Sequence, residues 1–255
     1  TEISLPHLLA VRNASNELLR IPDDRATKEA NYEPRFECHS ILSTENGGVD
    51  NFRVLLGSIG GTSTFTDGQY QVRAAIRELP SGPPMTQDML GNGNIVTQPR
   101  PSVFENFNSV RGVFVNAAER YITADYPPYQ SEYYVALNRG HVMPQQIDFA
   151  AVTSPHQAQR IARIQLHLAR NTLTFEATWT IGALIYSPGQ VVTVTLSQFG
   201  WDAKPFRIQK REFQADGQVK MIMREEASTI YGWTYQEGKE PDPSPNTNLP
   251  SPYDI

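Results

Sequence analysis

Along residues 154–181 the spacing of apolar residues changes period, and the change predicts a helix followed by a strand. Ser154 suits an N-cap, Pro155 the first helical position, and Gln157 completes an S-x-x-Q capping box. At 100° per residue, Ala158, Ile161, Ala162, Leu166, Leu168 and Ala169 share one face, with Arg160, Arg163, His167 and Arg170 on the other. After Asn171 the period becomes two. Leu173, Phe175, Ala177, Trp179 and Ile181 alternate with Thr172, Thr174, Glu176, Thr178 and Thr180, which reads as a strand with one dry face. Pro188-Gly189 then turns the chain into a second strand, Val191–Leu196.

The same reading applies upstream. Residues 4–20 (LPHLLAVRNASNELL within it) predict a helix, followed by the polar loop IPDDRATKEAN. In YEPRFECHSIL (32–42), Phe36, Cys38, Ser40 and Leu42 alternate with Glu37, His39 and Ile41, which predicts a strand burying Cys38. Val49, Phe52, Val54, Leu55, Leu56 and Ile59 predict a helix, capped by Thr44 or Asn46 and ended by Gly60-Gly61. Residues 62–76 read as a hairpin around Asp67-Gly68. Residues 79–103, rich in Pro, Gly and Asn, read as a long surface excursion with one short helix near 86–90. In 108–116 Val110, Gly112 and Phe114 alternate against Arg111, Val113 and Val115. Residues 117–148 are irregular, with Tyr121, Tyr126, Tyr129, Tyr133 and Tyr134 around Pro127-Pro128. Beyond 182, Pro205–Phe213 and Gln218–Arg224 flank Ala215-Asp216-Gly217 as another hairpin.

These elements predict an α+β fold. Two strand–helix–strand units (32–76 and 108–181) form an α/β layer, antiparallel strands of a β-barrel or sandwich follow, and irregular long loops connect them. Four parts are expected: an incoming helix and loop (1–31), an α+β domain (32–181), an antiparallel β part (182–236), and a Pro-rich linker or arm (237–255).

Composition narrows the function classes. The 255 residues suffice for a sizeable core, and no run of 18 apolar residues suggests a membrane span. The start lacks a secretory pattern, and Thr1 reads as the edge of a fragment or processed chain. Cys38 is the single cysteine, so no disulfide framework is expected. A net charge of −5 argues against tight binding to phosphate backbones. A mildly acidic channel would still let a duplex slide.

Candidate chemistry is thin. His7, His39, His141, His156 and His167 form no metal-binding spacing, and Gly57–Gly61 lacks the P-loop pattern. There is no G-x-S-x-G, and the adjacent pairs Asp23-Asp24 and Glu225-Glu226 would point to opposite faces of a strand. No cofactor is expected. The basic face of 156–170 reads as a solvated face or subunit contact rather than a nucleic-acid site. The tyrosines read as an interface, with a carbohydrate platform as the alternative.

Several blocks occur in an order that resembles the tail-tip hub family of long-tailed phages, the host-specificity (tip attachment) proteins of lambda-like phages. They are LPHLLAVRN, EPRFECHSIL, VDNFRVLLGSIGGTSTFTDGQYQV, ENFNSVRGVFVNAAERY, DYPPY, VTSPHQAQRIARIQLHLAR, YSPGQVVTVTL, PFRI, DGQV and MREEASTIYGW. The matching positions are Asn108, Val110, Gly112, Ala158, Arg160, Ile161, Pro188 and Gly189, with Ser154 and Pro155 opening the helix. They are folding positions, and the family offers no catalytic residues. The first hub barrel and the variable receptor-reaching domains have no counterpart in these residues.

The resemblance implies a virion structural protein of a phage or prophage tail tip, assembled in the bacterial host cytoplasm. It implies a homotrimeric baseplate hub that contacts distal tail and tape-measure proteins and lets tape measure and DNA exit. Host receptor would be bound by regions outside this chain. The alternatives are a carbohydrate- or receptor-binding module and, further off, a cell-wall hydrolase.

Overall fold

The computed structural model describes residues 2–23, 29–98, 106–171 and 173–241. Among them are four α-helices: α1 (Leu5–Ser15), α2 (Gly48–Ser58), α3 (Glu132–Leu137) and α4 (Pro155–Arg170). The rest of the regular structure is strand and short 3-10 turns, so the class is α+β. An open six-stranded sheet forms one layer. Its order is Met85–Thr86, Val191–Leu196, Trp201–Phe213, Val219–Glu225, Thr174–Trp179 and Val96–Gln98. The four long strands pair antiparallel, with register shifts inside Val191–Leu196 and Trp201–Phe213. This sheet takes strands from both sides of residue 181, where the α+β and β parts were expected to meet.

Each strand follows from its period-two pattern. Phe175, Ala177 and Trp179 bury on one face with Val192, Val194, Phe206, Ile208, Val219, Met221 and Met223. Ile181 does not continue that face. The chain leaves the sheet at Thr180 and begins a 3-10 turn, leaving Ile181 60% exposed. Segment 79–98 is more than a surface excursion. Its two short strands cover both edges of the sheet, parallel to Val194–Thr195 and antiparallel to Thr174–Glu176, and Met85 is fully buried. Edge strands this short leave little open ladder to pair with other chains. The expected loop's last residues, 99–103, lie outside the described residues, as does the Pro-rich stretch 242–255.

The second core surrounds α4, which buries Ala158, Ile161, Ala162 and Leu166 against Val110, Phe114, Tyr126 and Phe149. Leu168 is only half-buried at its margin. Ser154 caps the α4 N-terminus, its Oγ accepting from the Gln157 amide at 3.2 Å. The reciprocal half of the expected capping box does not form, because the Gln157 side chain is bound to Glu37 and Ser58 instead. At α2, Gly60 adopts φ +55° and the Gly61 amide donates to the Leu56 carbonyl, a Schellman-type stop. The helix begins after Gly47 with no side-chain cap, so neither Thr44 nor Asn46 acts as one. Asp67 (φ 54°) and Gly68 (φ 79°) make the type I′ turn of the hairpin Thr62–Thr66/Gln69–Arg73.

Two expectations in the N-terminal third are corrected. The helix expected over 4–20 ends at Ser15, because Leu18–Ile21 finds an antiparallel partner in Asn31–Pro34. The strand expected over 32–42 stops at Pro34. Beyond it, single bonds from the Arg35, Phe36 and His39 amides to Glu17, Ser15 and Ala151 hold the chain. Only Phe36 there is buried, and Cys38 is exposed. An alternating pattern without a partner strand has no ladder to join.

Candidate functional site

Several of the residues singled out by sequence lie on α4 and in the strand beneath it. Arg160 is 3% exposed and donates to Glu33 and to the Pro34 and Arg35 carbonyls, the last at 2.8 Å. Arg163 reaches Glu237 at 2.9 Å and the Ile230 carbonyl at 3.0 Å. Arg170 donates to the Phe107 and Asn106 carbonyls at 2.7 and 2.9 Å. Gln157 accepts from the Glu37 amide and donates to the Glu37 and Ser58 carbonyls, while Gln159 holds the Lys239 amide and carbonyl in the same two-point way.

The polar face of α4 is therefore not solvated, which corrects the reading from its charge pattern. Segments 33–37, 106–107 and 229–240 wrap it and supply acceptors for its donors. A basic stripe has the same spacing whether it faces water or carbonyls, so the pattern carried no signal of this enclosure. Burial holds the Arg160 guanidinium below its ordinary value, against the opposing pull of Glu33. Burial, reinforced by Arg163, pushes His167 down to about 4. At neutral pH His167 is an uncharged ring beside Tyr129 and Tyr134.

Asn108, Val110 and Gly112 form the ledge on which α4 rests. Asn108 is fully buried, donates to the His141 carbonyl at 2.7 Å and accepts from the Met143 amide at 2.7 Å. It thereby pins the segment that follows α3. A Cβ on Gly112 would lie 2.0 Å from the Ile147 carbonyl oxygen, so two backbones touch there and only glycine fits. Gly189 (φ 85°) follows Pro188 in the turn, and a Cβ there would lie 2.6 Å from Arg73 Nε.

The five tyrosines do not form one surface. Tyr126 is 1% exposed, and its hydroxyl donates to the Ile147 carbonyl at 2.9 Å, which makes it core rather than contact. Tyr129 and Tyr134 are half-buried against α4, and the Arg170 guanidinium lies 5.0 Å from the Tyr134 ring centre. Tyr121 and Tyr133 remain outward, 67% and 69% exposed. Tyr121 and its neighbour Arg120 both have φ near +60° (62° and 58°), at the tip of the hairpin Val113–Asn116/Ile122–Asp125.

A cleft of about 700 Å³ opens at the α4 N-terminus between Asn31, Glu119, Ser154, His156 and Glu240. Of the three acids that line it, Glu33 accepts from Arg160 and Ser154, and Glu240 lies 3.2 Å from His156. Among the described residues no group of three His, Cys, Asp or Glu side chains is placed to hold a metal ion. Glu225 and Glu226 diverge as strand neighbours do, to Lys204 and to Arg207.

One arrangement superficially resembles a nucleophile with its base, and sequence spacing had not singled it out. Ser4 Oγ lies 2.8 Å from His7 Nδ1, and His7 Nε2 lies 3.1 Å from Arg73 Nη2. A guanidinium can only donate, so Nε2 must accept and the ring proton must sit on Nδ1, donating to Ser4. The polarity is opposite to that needed to remove a proton from serine. Arg73 continues to Glu78 at 2.9 Å, Glu78 accepts from Arg207 at 3.1 Å, and Arg207 pairs with Glu226 through two nitrogens. This chain of charges ties the N-terminal segment to the six-stranded sheet.

Neither a protein-family model nor a curated protein matches this chain. Among solved structures, a chain of the virion of a native gene transfer agent particle matches with a TM-score of 0.60 at 21% identity, over 75% of this chain and 42% of that one. A prophage tail protein from Listeria monocytogenes EGD-e aligns with a TM-score of 0.41 at 9% identity, over 88% of this chain and 72% of that one. This chain thus spans less than half the length of the gene transfer agent chain it matches. What the first likeness establishes is a shared fold.

Proposed function

We propose that this chain is a structural component of a phage or prophage tail. Within that role we read it as part of the tail-tip hub, a ring of three copies that surrounds the exit path of tape-measure protein and DNA. The carrying observation is the fold shared with a virion chain across three quarters of these residues. The family-like blocks agree with it, since Asn108, Gly112, Arg160 and Gly189 all act as packing and pinning residues.

Exposed apolar side chains support self-association. On α3, Tyr133 and Leu137 (69% and 54% exposed) lie four residues apart on one face, and Tyr121 and Ile122 stand at the nearby-numbered hairpin tip. In this reading the subunit contact uses Tyr133 and Tyr121, while Tyr126, Tyr129 and Tyr134 act within the fold. Light scattering tests it. Wild-type chain gives a mass of three copies, and Tyr133→Asp shifts the mass towards one copy with an unchanged melting curve. Equal masses for both proteins would remove Tyr133 from the contact.

A further inference from the structure

Helix α1 is lightly held. None of its residues is buried, and Leu5, Leu8 and Leu9 are exposed. Its moorings are few. Glu2–Ile3 pairs in parallel with Gln69–Tyr70, the Ser4 amide donates to the Tyr70 carbonyl, Val11 packs at the core's margin, and at the C-terminal end the Ser15 carbonyl accepts from the Phe36 amide at 3.3 Å. The remaining side-chain tether is the His7 ring, wedged between Ser4 and Arg73.

That wedge tolerates one protonation state. With Nε2 protonated, His7 would present a donor and a positive charge to a guanidinium 3.1 Å away. Arg73 has little room to withdraw, because its Nη1 is bound to Glu78 and its Nε abuts the Gly189 backbone. Glu78, the nearest acid, is already shared between Arg73 and Arg207, whose other partner is Glu226. The remaining walls of this polar cleft, Gln71, Ser81, Ser187 and Gln190, are neutral.

We propose that the His7–Arg73 contact is an acid-operated latch: protonation of His7 releases α1 and the Glu2–Ile3 strand while the α4 core stays folded. Burial first, and then Arg73, holds His7 below its ordinary value of 6.5, with Glu78 opposing. The released state therefore takes up a proton more readily than the docked one. Docking is at full strength above about pH 6.5 and weakens as the pH falls below it. Release uncovers the edge of strand Gln69–Arg73 that Glu2–Ile3 occupies, and an uncovered edge can accept a strand from another chain.

Hydrogen exchange of the full chain at pH 7.5 and 5.5, corrected for intrinsic rates, tests the latch. In the wild type, amides of residues 5–15 exchange several-fold faster at pH 5.5 while those of 155–170 keep their protection. His7→Gln, which keeps a neutral acceptor for Arg73, removes the pH difference in 5–15. Equal protection of 5–15 at both pH values in the wild type overturns the proposal. So does the same loss in His7→Gln, or parallel opening of 155–170. The His7 ring resonance gives a readout independent of the variant. It titrates with the midpoint of α1 opening, and a protonated ring with residues 5–15 still protected overturns the latch.

Discussion

Replacing Arg160 by methionine separates the enclosed reading of α4 from the solvated one. Arg160 is 3% exposed, and the side chain of Glu33, its partner, is 16% exposed. Arg160→Met keeps the apolar stem but strips donors from Glu33 and from the Pro34 and Arg35 carbonyls. Removing one member of a buried pair costs about 3–5 kcal/mol, because the other charge stays behind without compensation. A solvated arginine on an outer face would cost about 0.5 kcal/mol or less. At about 2–4 °C per kcal/mol for a chain of this size, the enclosed case lowers the melting temperature by about 6–20 °C. Urea unfolding followed by tryptophan fluorescence gives the free energy directly. Adding Glu33→Gln to Arg160→Met removes the stranded charge, so the double variant recovers much of the loss. A cost for Arg160→Met below about 1 kcal/mol would refute the burial argument, as would two single effects that simply add.

Three further outcomes follow. Gly112→Ala pushes a methyl into the Ile147 carbonyl and yields insoluble protein or a large loss in melting temperature, read by soluble yield and calorimetry; wild-type melting would contradict the close approach. Stability falls as the pH drops from 6.5 towards 4, because unfolded chains protonate His167 while the folded chain resists until about 4; urea midpoints across that range show the slope, and His167→Gln flattens it. Tyr126→Phe costs about 1 kcal/mol through the lost bond to Ile147 and leaves the assembled mass unchanged, whereas a change in mass would return Tyr126 to the interface.

Much of the fold was legible wherever a local device sets the backbone. The N-cap at Ser154, the Gly60-Gly61 stop, the Asp67-Gly68 turn and the alternation of Phe175, Ala177 and Trp179 depend on neighbours in sequence. What escaped depends on partners distant in sequence. Leu18–Ile21 reads as helix until Asn31–Pro34 offers a ladder, and Cys38 reads as buried until no strand arrives beside it. The edge strands at 85–86 and 96–98 are too short for periodicity to reveal. The site was legible in part. Asn108, Gly112 and Gly189 were marked by residue type, but the contacts that make them necessary come from residues 143, 147 and 73. The His7–Arg73 pair spans 66 positions and left no pattern in the chain.

We propose this protein to be an assembling structural part of a phage tail. Electron microscopy of the purified chain across a range of concentrations tests it most directly. The account predicts ring-shaped particles of three copies with a central opening, joined through the faces that carry Tyr133 and Tyr121. Compact single copies at every concentration would contradict it.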